Sequence, residues 1–408
     1  MPNIFINKKS FDEDKGEFVE RKGLGHPDTL ADALAEKLSA EYSKYTLKKY
    51  GAILHHNFDK VGLLGGSSYV TFGRGYLTKP IRVLLNGRVS TKFADEKIPI
   101  IKLLIRWTEN FFKEKLPMID TADDLEFHFN LSNQSSPGKT YTKEADKGSR
   151  MYWFEPRGLF DLKELEKPLS NDTSLGVGYA PYSNLEKMIL DIEIELNSLN
   201  FKNRHKWIGS DIKLMGFRQL NNYYITMCIP QIANFVKNLN EYKANLKIAR
   251  KKVEEIIKKY SINNFELNIN TRDDYSVREL YLTATGSSIE SGDEGLVGRG
   301  NRINGVISPN KPMSMEGSCG KNPIYHIGKI YYLAANEIAK KIYKKFGIKN
   351  EVFIVSQSGR YLLDPWIIMV NIQNDFHKKD VIEKLVLEEI KKIQSLTSKI
   401  INNKFKLF

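Results

Sequence analysis

The sequence predicts an α/β (α+β) chain built from three interlocked pieces. Three observations lead there. Strand-like and helix-like segments alternate along nearly all of the 408 residues, with few long linkers. The composition, 41% hydrophobic and 27% charged, is that of a globular protein long enough for one large or two to three modest domains. No strict repeat, low-complexity tract or apolar run of bilayer-spanning length interrupts the pattern. The expected division is an N-terminal piece over 1–150, a central one over 151–260 and a C-terminal one over 261–408, the three interleaved.

The first helix is expected to begin at "GLGHPD" (Gly23–Asp28), since Leu30, Leu34, Leu38 and Tyr42 recur four apart and form an apolar stripe. Pro27 suits its first turn, where a missing N–H costs nothing. Asp28 and Asp32 then share one face, a turn apart. "IRVLLNGRV" (Ile81–Val89) reads as a strand, "IPIIKLLIRWTENFFKEKL" as a helix, and "LEFHFNL" (Leu125–Leu131) as a strand entering a long polar loop. The middle third offers a helix at "SNLEKMILDIEIELNSLN", strands at "SDIKLMGF" and "YYITMCIP", and a basic helix from about Gln231 to Tyr260. "FELNIN", "LYLTATG", a helix near Tyr325–Phe346, the strands "EVFIVSQ" and "WIIMVNIQ", and a basic C-terminal helix complete the order.

The net charge of +13 comes largely from lysines in helical stretches, which read as solvated faces; it also suits a polyanionic substrate such as a nucleotide. No nucleic-acid-binding motif accompanies the charge, so neither nucleic acid nor membrane is expected as a partner. Two cysteines without CxxC spacing and the absence of a signal-peptide pattern point to the cytoplasm.

Chemistry concentrates between Ser291 and Pro323. Gly292, Gly295, Gly298, Gly300 and Gly305 permit close backbone approach, Arg299, Arg302, Lys311 and Lys321 supply cations, and Asp293 and Glu294 supply acids. This is a phosphate-binding composition. "GSCGK" (Gly317–Lys321) lacks the spacing of a Walker loop, and "GRGNRING" lacks that of a dinucleotide fingerprint. In "LHHNFDK" the adjacent histidines would point to opposite faces of a strand and so not easily share one metal, an inward one reading as a hydrogen-bonded core residue; Asp59 and Lys60 are the better site candidates. "DIK" puts Asp211 and Lys213 on one strand face, an inward lysine being unusual unless paired or reaching a phosphate.

In order, "VERKGLGHPDTLAD", "LHHNFDK", "NDTSLGVGYAP", "DIKLMG" and "GDEGLVGRGNRINGVISPNKPMSMEGSCGKNP" resemble the archaeal-type S-adenosylmethionine synthetases across most of the chain. The resemblance implies three α/β subdomains in pseudo-threefold arrangement, and a homodimer with active sites between subunits. It implies attack of the methionine sulfur on C5′ of ATP, loss of tripolyphosphate, and its cleavage to pyrophosphate and phosphate, with Mg²⁺ and K⁺ as ions. By resemblance His26 sits at the leaving triphosphate, Asp28 holds Mg²⁺, and Lys213, Arg299 and Lys321 contact phosphate oxygens. Asp172 meets the methionine ammonium, Asp293 joins the metal-phosphate network, Arg302, Asp211, Asp59 and Lys60 line the substrates, and Gly23 and Gly25 leave room for the nucleotide. The loop after Leu131 keeps Gln134, Ser135 and Ser136 but has Pro137 and Gly138 where an acid is expected, and "FGRG" adds Arg74. These departures raise a methionine analogue as an alternative thioether; a tripolyphosphate or ATP hydrolase without sulfonium product is the other.

Overall fold

The computed structural model describes residues 2–11, 16–134, 142–144, 152–373, 379–405 and 407–408. Three mixed sheets, each backed by helices, enclose three separate hydrophobic cores. The N-terminal sheet runs Leu125–Ser132, Ile81–Val89, Gly62–Leu64, Glu294–Leu296. The central sheet runs Phe265–Ile269, Asn222–Cys228, Lys213–Gln219, Gly16–Lys22. The C-terminal sheet runs Asn3–Lys9, Ile367–Gln373, Asn350–Val355, Leu175–Ala180.

All three follow one plan: an antiparallel pair carries a parallel strand on one edge and an antiparallel strand on the other. The helices repeat with them. α1 (Pro27–Tyr50) and α2 (Ile100–Lys115) serve the N-terminal core. α3 (Asn184–Leu196) and the long α5 (Leu239–Lys259), separated by the short α4 (Leu199–Arg204), serve the central one. α6 (Ile327–Phe346) and α7 (Lys379–Lys391), followed by α8 (Leu396–Ile401), serve the C-terminal one. The first two units read strand, helix, antiparallel pair, helix, parallel strand; the third takes its parallel strand, Asn3–Lys9, from the start of the chain; and each unit's leading strand is given to another unit's sheet. The interlock is therefore covalent. Gly16–Lys22 pairs with Lys213–Gln219, and Asn3–Lys9 closes the C-terminal sheet beside Ile367–Gln373. Phe265–Ile269, beyond residue 260, completes the central sheet.

α1 forms as its stripe requires. Leu30, Leu34, Leu38 and Tyr42 are wholly buried, Pro27 opens the first turn, and Gly51 (φ 78°) ends it in the left-handed region. The basic helix differs from its expected start. Gln231–Ile232 pairs with Leu282–Thr283, and α5 begins only after Asn238, whose side chain accepts the Glu241 N–H at 3.0 Å. The buried Gln231 amide is used in bonds to the Tyr242 carbonyl and Asn245, which fixes that stretch in extended form. Lys213 is not an inward lysine: it projects from the exposed face of its strand, 3.3 Å from Glu20. No helix among the described residues is long and apolar enough to cross a membrane.

Candidate active site

The site starts where α1 meets the central sheet. A Cβ on Gly23 would lie 2.4 Å from the Ile212 carbonyl oxygen, and one on Gly25 2.6 Å from the Asp211 nitrogen. These glycines serve backbone packing against Ser210–Ile212, in place of the nucleotide space expected of them. The close packing sets His26 beside Asp211 and Lys213.

His26 caps α1, its Nδ1 accepting the Asp28 N–H at 3.2 Å. With Nδ1 an acceptor, the neutral ring carries its proton on Nε2, a donor free for an anion. Burial lowers the His26 pKa; Asp211 and Asp28 oppose this, and Lys22 and Lys213 reinforce it.

His26, Asp211, Lys213, Arg272, Tyr281, Ser288 and Asp293 line a cavity of about 610 Å³. Asp211 is buried and accepts from Ser288 Oγ (2.7 Å), the Ser288 N–H (2.9 Å) and Tyr281 (3.1 Å). Ser288 Oγ is also 2.9 Å from Asp293, so its single proton serves one carboxylate at a time.

A second cavity, about 490 Å³, is lined by Asp59, Lys60, Thr173, Arg299, Glu316 and Lys321 among others. Lys321 is buried, its ammonium 2.8 Å from Glu316 and 3.8 Å from Asp59. Arg299 is exposed, and its guanidinium has no partner among the described residues. The segment Asp293–Arg299 joins the two cavities. Lys22 ties that segment to α1, donating to Asp28 (2.8 Å) and to the Arg299 carbonyl (2.7 Å).

The fold thus gathers His26, Asp211, Lys213 and Asp293 at one cavity, and Asp59, Lys60, Arg299 and Lys321 at the other. Asp28 lies between them, bonded to Lys22 and to the Leu296 N–H at 3.0 Å. Arg302 grips backbone: its guanidinium donates to the carbonyls of Gly298, Gly300 and Ser314. Asp172 is exposed, one residue before Thr173 of the second cavity. Gln134 is exposed, two residues beyond the strand Leu125–Ser132, and Ser135 and Ser136 lie outside the described residues. Arg74 stacks over Tyr76 on a hairpin and is not among the residues lining either cavity.

Both histidines of "LHHNFDK" are buried and bonded, His55 to Tyr325 (2.8 Å) and His56 to Ser39 (2.8 Å). Reasoning from sequence passed over Lys22, Arg272, Tyr281 and Ser288. Lys22 stands inside "VERKG", but a lysine in a short strand carries no signal until its partners, 6 and 277 residues away, are known.

Among the described residues no group of three or more His, Cys, Asp or Glu converges in the manner of an all-protein metal cage. Asp28 has the hard oxygens of the other mode, in which one or two carboxylates and substrate phosphates share a Mg²⁺-like ion, but Oδ2 is paired with Lys22 and Oδ1 accepts the Leu296 N–H, so an ion there would have to displace the Lys22 ammonium.

The S-adenosylmethionine synthetase (AdoMet synthetase) family model matches residues 3–404. A probable S-adenosylmethionine synthase of Aquifex aeolicus is 36% identical over 99% of both chains. The S-adenosylmethionine synthase of Methanococcus vannielii is 37% identical over the whole of both chains. Among solved structures, an unusual S-adenosylmethionine synthetase from Campylobacter jejuni shares the fold, with TM-score 0.56 at 14% identity over 96% of this chain and 89% of that one. With such relatives over its full length and Arg74 apart from the cavities, neither a methionine analogue nor simple hydrolysis is favoured. The chain belongs to the S-adenosylmethionine synthetases and joins ATP to methionine to make S-adenosylmethionine.

Proposed function

We propose that the two cavities divide the work of adenosyl transfer, with His26, Lys213, Arg299 and Lys321 acting on the polyphosphate of ATP. The observation that carries this reading is His26: a neutral imidazole whose Nδ1 is occupied and whose Nε2–H remains available at the cavity wall. A thioether has no proton to remove, so the displacement at C5′ needs no general base. Its demands are in-line placement and stabilisation of a leaving group with about four negative charges. An N–H donor and three cations meet the second demand, and the same groups then hold tripolyphosphate for cleavage to pyrophosphate and phosphate.

Asp211 and Asp293, joined through Ser288, orient the first cavity's donors. Asp59, Lys60 and Arg302 shape the second, and Asp172 with Gln134, Ser135 and Ser136 takes the amino-acid end of methionine. The family is metal-dependent. In our reading the ions are Mg²⁺ and K⁺, with Asp28 holding Mg²⁺, which would supply charge neutralisation at the phosphates.

The working form in this reading is a cytoplasmic homodimer. Phe18 (47% exposed), Met215 (38%) and Tyr224 (43%) stand on the open face of the sheet that carries Lys213, with Phe217 stacked on Phe18 at 4.5 Å. A second copy over that face would exclude water from an apolar patch and bring the active site to the subunit boundary.

The test is mass spectrometry of products after incubation with ATP, Mg²⁺, K⁺ and a panel of thioethers. Methionine is expected to give the dominant adenosyl-sulfonium product, with pyrophosphate and phosphate in equal amounts. Phosphate release without any sulfonium product would contradict the reading.

A further inference from the structure

α1 carries three buried carboxylates on one face, Asp28, Asp32 and Glu36, spaced four apart. Each accepts a backbone N–H from the glycine-rich C-terminal segment: Leu296 to Asp28 (3.0 Å), Gly298 to Asp32 (2.9 Å), Gly320 to Glu36 (3.0 Å). Ser39 Oγ, next along the helix, lies 3.2 Å from the Lys321 carbonyl. Helix and segment approach so closely that only glycine fits: a Cβ on Gly295 would lie 2.0 Å from the Pro27 carbonyl oxygen, and one on Gly300 2.3 Å from Asp32 Oδ2.

The middle rung has a particular consequence. Asp32 accepts the Gly298 N–H and packs directly against Gly300, while Arg302 holds the carbonyls of both glycines. Arg299 is the residue between. Gly298 is held through both its N–H and its carbonyl and Gly300 through its carbonyl, and the Arg299 side chain is left exposed. A long cation on a loose loop would lose rotamer and backbone freedom on meeting its ligand, which a fixed loop avoids.

We propose that Asp32 is a positioning residue for the reaction: by fixing Gly298 and Gly300 it aims the Arg299 guanidinium at the polyphosphate, without touching substrate itself. The proposal rests on the assignment of Arg299 to the leaving group. Displacement of a catalytic group by about 1 Å can cost on the order of 100-fold in rate.

Steady-state kinetics of the full-length protein test this with R299A, D32A, D32N, G300A and the double variant D32A/R299A, each checked for native circular dichroism. R299A and D32A are expected to lower kcat by roughly 100-fold while leaving KM for methionine within about threefold, because the interaction is made in the transition state. D32N, whose amide oxygen still accepts the Gly298 N–H, is expected to recover most of the loss. G300A, which leaves every charge in place, is expected to reproduce D32A. The double variant should be no slower than R299A, since the two residues act as one unit. Additive losses in the double variant, or D32N no better than D32A, would overturn the positioning role. Wild-type kcat in R299A would instead overturn the polyphosphate assignment on which the role depends.

Discussion

His56 shows how one side chain links packing to solution behaviour. It is wholly buried between Ser39 Oγ (2.8 Å) and the Leu54 carbonyl (2.9 Å), and burial drives its pKa down to about 3. The unfolded chain takes up that proton near pH 6.5, the folded one only near 3. This stability is therefore complete above pH 6.5 and is lost as the pH falls toward 3, at about 1.4 kcal/mol per pH unit for one such group. Denaturant titrations between pH 7 and 4 should show that decline, and H56Q should flatten it. A parallel decline in both proteins would show that His56 contributes nothing to it. Strand alternation predicts one inward histidine in "LHHNFDK"; both are buried, because His55 precedes the two-residue strand His56–Asn57 and alternation does not apply to it. Residue types alone did not show the purpose of Gly23 and Gly25. A glycine that admits a ligand and one that admits another backbone look alike until the opposing segment is known. Here it is Ser210–Ile212, nearly two hundred residues away.

At the scale of elements, the contact between α1 and the glycine-rich segment joins the first tenth of the chain to its last third. Its tightness makes Gly295 a sharp probe. G295A places a methyl group 2.0 Å from the Pro27 carbonyl, and backbone must move to relieve it. Overpacking of this kind costs about 1–3 kcal/mol, so in a chain of this length thermal unfolding should shift down by about 1–4 °C and activity should fall with it. Unchanged stability and activity would mean that the segment is free to lift away from α1. α1 itself was legible because its apolar stripe is regular over four turns and Pro27 and Gly51 punctuate it. The start of α5 was not. Gln231–Val236 contains only two strong helix formers, Gln231 and Ala233, and the buried hydrogen bonds of Gln231 with a short pairing to Leu282–Thr283 hold its beginning extended.

At the scale of the molecule, alternation of strand and helix gave the α/β class, and the three-part division followed from it. The exchange of strands is what local pattern conveys least. Asn3–Lys9 and Gly16–Lys22 are short edge strands whose partners, Ile367–Gln373 and Lys213–Gln219, lie far along the chain. The exchange also explains the site. Because each unit gives its leading strand away, the turn Gly23–Asp28 leaves the central sheet and enters the N-terminal core directly, carrying His26 past Asp211 and Lys213. The strand Glu294–Leu296 makes the reciprocal crossing and brings Arg299 and Lys321 to the other end of the same segment. A site spread over three units would be costly to assemble from independent domains, and three covalently interlocked sheets fix it in one frame. The claim at the centre is that His26, neutral and with Nε2–H free, stabilises the departing polyphosphate. The direct measurement is kcat and KM of H26A with ATP and methionine, following S-adenosylmethionine itself. Loss of a preorganised donor predicts a fall in kcat of roughly 100- to 1,000-fold with KM for methionine nearly unchanged; turnover within a few-fold of wild type would contradict it.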